Sequence, residues 1–167
     1  VNRPGREVAV FDTSPLVFLD VLGYASLLAE IHVVFVPPAV AEELAASPGE
    51  PGSGIPEEAW VEVREPEAGI LRTVEGEMTE GRGEKEAIAL ALTLGVLVVL
   101  DDKRARRHAR RMGLRLTGTL GVLLRLHRLG LATRSLEEDL RLLEEADMRI
   151  TPDLKRRILE AGEGNSL

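Results

Sequence analysis

The chain has 167 residues, of which 44% are hydrophobic, 29% charged and only 3% aromatic; this suits one domain, 1–167, with a core of Leu, Val, Ile and Ala. There is no cysteine, which excludes a disulfide framework, a thiolate zinc site and a thiol nucleophile. Net charge is −7, opposite to the usual footprint of a nucleic-acid binder, yet residues 103–111 read KRARRHARR. No apolar run reaches the roughly 18 residues that span a bilayer. VNRPGREVAVF lacks a signal-peptide core, so no membrane partner and a cytoplasmic setting are the expectation.

In chain order, Glu7–Phe11 (EVAVF) reads as a buried strand, stopped by Asp12-Thr13-Ser14-Pro15 at the start of a helix. Leu16–Leu22 and Tyr24–Ile31 have helical spacing and are separated by Gly23. His32–Val36 (HVVFV) is a second strand, ended by Pro37-Pro38, and Ala39–Ala46 is a helix. Residues 50–58 are rich in Pro, Gly and Ser, and Trp60–Val63 is a short edge strand. Glu65–Arg82 has no clear periodicity, and Glu50–Gly81 as a whole is read as a flexible flap over the site. Glu84–Leu94 is a strong helix, and Val96–Leu100 (VLVVL) has the wholly apolar character of a central parallel strand. Lys103–Met112 is a basic helix, Leu114–Leu116 a short strand and Thr119–Leu129 an amphipathic helix. Ser135–Ala146 and Thr151–Ala161 form a C-terminal helical pair at about 135–162, appended to a core of about 6–130. The βαβα rhythm predicts an α/β fold, a three-layer Rossmann-like sandwich around a mainly parallel sheet of 4–5 strands.

In such sheets the ligand site lies beyond the carboxyl ends of the strands, where strand order reverses. Asp12 follows the first strand, and Asp101 and Asp102 follow Val96–Leu100. Glu84 begins the helix leading back to that strand, and Glu43 lies early in the helix after the second. If the two strands are neighbours, these acids share one rim. Carboxylates crowded together raise a pKa or recruit a cation, and hard oxygen ligands suit Mg²⁺ or Mn²⁺, ions that clamp phosphates and activate water. Each residue also has a plainer reading: Asp12 or Ser14 as a helix cap, Glu84 as a favourable charge at a helix start, Glu43 as an exposed helical acid. The basic helix reads as a solvated face or as an RNA-backbone contact through Arg104 or Arg107. His32, His108 and His127 are isolated, without metal-ligand spacing.

The ordered set VFDTSPL (10–16), VPPAVAEEL (36–44), GRGEKEAIALA (81–91), LDDKRAR (100–106) and TGTLGVLL (117–124) resembles the PIN domain family, and within it the prokaryotic group labelled DUF3368. The resemblance covers nearly the whole chain. It implies an α/β/α PIN fold and Mg²⁺- or Mn²⁺-dependent cleavage of single-stranded RNA. It also implies homodimers and, in many relatives, a toxin role with an antitoxin partner. Carried over by motif, Asp12, Glu43, Glu84 and Asp101 are the catalytic acids. Asp12, Glu84 and Asp101 or Asp102 bind metal, with Ser14 and Thr119 supporting. Two other functions fit the same residues less fully. A haloacid-dehalogenase-type phosphatase wants a second Asp where this chain has Ser14, and a PIN-like module could bind RNA or protein without cutting.

Overall fold

The computed structural model describes residues 5–164. Five parallel strands, β1 (Glu7–Phe11), β2 (His32–Val36), β3 (Val61–Val63), β4 (Leu97–Val99) and β5 (Leu116–Thr117), form one sheet in the order β3-β2-β1-β4-β5. The chain builds outward from β1 through β2 to β3, then returns to place β4 on the other side of β1. The order therefore reverses between β1 and β4, where Val10 is level with Val98 and Phe11 with Val99.

Alternate strand residues feed two cores, as the period-2 geometry of a strand requires. Ala9, Phe11, Val34, Val36, Leu97 and Val99 face one side. There they meet α1 (Thr13–Val21), α2 (Leu28–Ile31), α3 (Pro38–Ala45), α7 (Thr119–Arg128) and α8 (Leu136–Glu145). Val10, Phe35, Val98 and Leu100 face the other side and meet α4 (Ala68–Glu77), α5 (Arg82–Leu94) and α6 (Lys103–Arg111). The last helix, α9 (Pro152–Glu163), packs on α7 and α8. The result is the expected three-layer arrangement, at the upper strand count and wholly parallel.

Residues 50–81 are not a flap. Gly52 donates its N–H to Asp20 Oδ2 at 2.6 Å, and a Cβ there would press on Leu44 and Val17. Ile55, Val74 and Met78 are buried, and the segment without clear periodicity contains α4. That helix starts because Glu67 accepts from the Gly69 and Ile70 N–H groups, at 2.8 and 2.9 Å. The strand expected at Leu114–Leu116 lies at Leu116–Thr117, because Leu116 and Thr117 align with Val98 and Val99 and Leu100 N–H donates to the Thr117 carbonyl. Among the described residues no single helix is long and apolar enough to cross a membrane.

Helix α8 is fastened by one buried carboxylate. Asp139 has no exposed surface and accepts from His127 Nε2 (2.7 Å), Arg134 Nε (2.7 Å) and the Tyr24 hydroxyl (3.2 Å). That same hydroxyl accepts from the backbone N–H groups of Thr133 and Arg134. His127 thus has a structural partner that its sequence surroundings do not announce.

Candidate metal centre

The carboxyl ends of β1 and β4 bring Asp12 and Asp101 to the same edge, and α5 and α3 add Glu84 and Glu43. Asp12 sits at the N-cap position of α1 but makes no side-chain capping bond. It is 4% exposed, and its Oδ1 is buried without a hydrogen-bond partner. Burial first, then the negative charge of Glu84, pushes its carboxyl up to about 7, with Glu43 and Asp101 adding smaller pushes and the Thr13 backbone N–H opposing. The carboxylate is therefore removed from water and surrounded by its own sign of charge.

The other acids are held in different ways. Glu43 is exposed, and its Oε2 accepts from the Thr13 hydroxyl at 2.5 Å. Glu84 is half-buried in the first turn of α5. Asp101 Oδ1 accepts from the Thr119 N–H at 2.8 Å and Oδ2 from the Thr119 hydroxyl at 2.6 Å, so Thr119 fixes the plane of the carboxylate. Asp102 is exposed, and its Oδ1 accepts from the Arg104 and Ala105 N–H groups at 2.9 and 2.8 Å, capping α6. Ser14 is exposed on α1 and makes no side-chain hydrogen bond among the described residues.

Three glycines make room for the acids. A Cβ at Gly81 would fall 2.6 Å from Glu84 Oε2, one at Gly83 would fall 2.6 Å from Glu43 Oε1, and one at Gly118 would fall 2.8 Å from Asp101 Oδ1. Real Cβ contacts are not that short. The Gly-x-Gly-Glu string is thus explained by space: Gly81 clears Glu84 in its own turn, and Gly83 clears Glu43 from the neighbouring helix.

Two side chains that position the acids or their helices escape a reading by sequence alone. Thr13 orients Glu43, as above. Glu86, 7% exposed, accepts from Ala39 N–H at 2.8 Å and from Arg82 Nε at 2.9 Å, and Arg82 also donates to Glu42 at 2.6 Å. Glu86 therefore ties the start of α3 to α5. A carboxylate two residues after Glu84 in a helical run carries no sequence mark of that role.

The profile described as DUF3368, PIN domain, matches residues 8–163. The chain belongs to the PIN domain family. No protein of curated function matches it. PIN domains are generally nucleases and typically use divalent metals. The donor set fits such an ion in kind: four carboxylates, an orphaned buried oxygen on Asp12, and no cation paired with Asp12, Glu43 or Glu84 among the described residues. No three Asp, Glu or His side chains among those residues already enclose an ion-sized space. The PIN acids are thus coupled through their charges, with Asp101 and Glu43 oriented by threonines.

Proposed function

We propose that this PIN domain is a Mg²⁺- or Mn²⁺-dependent ribonuclease that hydrolyses phosphodiester bonds of single-stranded RNA. The observation that carries the reading is Asp12, a carboxylate buried at the reversal point with one oxygen unsatisfied and three further acids raising its pKa. Such a group is costly unless a cation offsets it.

Asp12, Glu84 and Asp101 would hold the ion, with Glu43 at the rim. A bound divalent ion supplies charge neutralisation at a phosphate and a more acidic water. The chain's own residues do the rest. Thr119 holds the Asp101 carboxylate in one orientation, and Thr13 does the same for Glu43. Asp101 is preferred over Asp102 as ligand because its charge reaches Asp12 and helps to raise that carboxyl, whereas Asp102 is exposed and caps α6. Glu43, which is exposed, would accept a proton from water at the rim. The phosphatase alternative gains nothing from this geometry. Ser14 occupies the position of its required second acid, and it makes no side-chain hydrogen bond among the described residues.

The test is cleavage of a panel of single-stranded RNAs with Mg²⁺ or Mn²⁺, comparing wild type with Asp12→Asn. Metal-dependent cleavage lost in Asp12→Asn supports the reading. Cleavage that survives the substitution sinks it, and RNA binding without cleavage by either protein favours the non-catalytic module. An antitoxin partner and a homodimer remain part of the proposal. They are tested by co-purification with the product of an adjacent reading frame and by sedimentation.

A further inference from the structure

The basic helix α6 carries six Lys and Arg residues and no acid in a protein of net charge −7. Its orientation is fixed. Ala105 and Ala109 are fully buried against the sheet. Arg106 is turned inward, donating to the Leu100 carbonyl at 2.8 Å beside Asp101. Arg104 and His108 are occupied by Glu80, at 3.3 and 3.6 Å. At 100° per residue, the face opposite Ala105 and Ala109 presents Lys103, Arg107, Arg110 and Arg111. All four are exposed, and none has a carboxylate partner among the described residues. Ion pairing has thus removed Arg104 from the set and left a stripe of four free cations about 12 Å long.

The stripe begins next to the acids. Asp101 and Asp102 immediately precede α6, and Asp102 caps it. A strand whose reacting phosphate lies at the acidic rim meets Lys103 first, then Arg107, then the Arg110–Arg111 pair. We propose that this outward stripe of α6 is a phosphate track that holds single-stranded RNA on one side of the cut, with Arg107, Arg110 and Arg111 rather than Arg104 as its main contacts. The inference rests on the ribonuclease reading for the choice of RNA. The track itself needs no metal. The negative charge over the rest of the protein would repel RNA elsewhere and so confine its approach to this face.

The experiment is fluorescence anisotropy of a labelled single-stranded RNA of mixed sequence, in EDTA, over a series of salt concentrations. Each phosphate-paired cation contributes about 0.7 to the slope of log K against log salt for single strands. Arg107→Gln/Arg110→Gln/Arg111→Gln is expected to lower that slope by about 2 and to weaken binding at least tenfold at low salt. A control, Arg141→Gln/Arg156→Gln/Arg157→Gln, removes three cations from the helices on the other side of the sheet and is expected to leave the slope unchanged. Circular dichroism confirms that both variants fold. An unchanged slope in the α6 variant, an equal loss in the control, or no salt-dependent binding by wild type overturns the proposal. So does competition by polyglutamate as strong as that of RNA at equal charge, which would make the stripe a docking face for an acidic protein. Failure of the two readings is separable. If wild type binds through α6 but cuts no RNA, the track stands and the nuclease falls; if it cuts RNA with metal while the α6 variant binds normally, the reverse holds.

Discussion

Asp12→Asn is expected to stabilise the metal-free protein at alkaline pH while abolishing its response to metal. The carboxyl of Asp12 is raised from 3.8 to about 7 by burial and by Glu84, Glu43 and Asp101. Because the folded state holds this proton more tightly than the unfolded state, stability from this group is full below about pH 4 and is lost as pH rises to about 7. A shift of roughly three pH units at about 1.36 kcal/mol each sets a ceiling near 4 kcal/mol. Asn has no such proton to lose. Urea unfolding in EDTA at pH 5 and pH 8 measures the effect, since carboxylates common to both proteins largely cancel in the comparison. Wild type is expected to lose about 2–3 kcal/mol more than Asp12→Asn between those pH values, since only about two of the three units lie in that window. At pH 8, Mg²⁺ at a hundred times its dissociation constant restores about 2.7 kcal/mol to wild type and none to the variant. Equal pH dependence in the two proteins would show that Asp12 ionises freely, and equal stabilisation by Mg²⁺ would place the ion elsewhere.

Gly83→Ala sets a Cβ 2.6 Å from Glu43 Oε1 and so displaces that carboxylate, while alanine ordinarily favours a helix by about 0.5–1 kcal/mol. Cleavage is expected to fall at least tenfold with the melting temperature little changed. Asp102→Ala loses a helix cap, costing about 1 kcal/mol in urea unfolding, and keeps cleavage per folded molecule; Asp101→Asn does the opposite. Thr119→Val removes one of the two hydrogen bonds that orient Asp101 and is expected to weaken Mn²⁺ binding in calorimetry several-fold, the backbone N–H bond remaining. Asp139→Ala leaves Arg134 and His127 without their buried partner and is expected to cost about 3 kcal/mol in unfolding, with RNA cleavage by the folded fraction unchanged.

What could be read from the sequence depended on whether the signal was local. EVAVF, HVVFV and VLVVL are β-branched apolar runs with sharp stops, so the central strands and the acids that follow them were legible together. Helix α4 was not, because its apolar residues Ile70, Leu71 and Val74 are sparse and two glycines interrupt it; a capping Glu67 and packing against α5 stabilise it instead. The Thr13–Glu43 and Glu86–Ala39 bonds join elements far apart in the chain, and neither end carries a local sign. Asp139 was nearer to legible. It falls on the apolar face of α8 with Leu136, Leu140 and Leu143, and an acid in that phase requires buried partners.

The clasp formed by Glu86 makes α3 and α5 a single mechanical part. It fixes the start of one helix against the first turns of the other, and those helices bear Glu43 and Glu84. Transplanting residues 82–94 alone onto another sheet would carry one acid and lose the gauge that spaces it from its neighbour. A graft of this rim therefore needs both helices, with Arg82 and Glu42 included, because the bonds that space Glu43 from Glu84 are made by residues other than the two acids themselves.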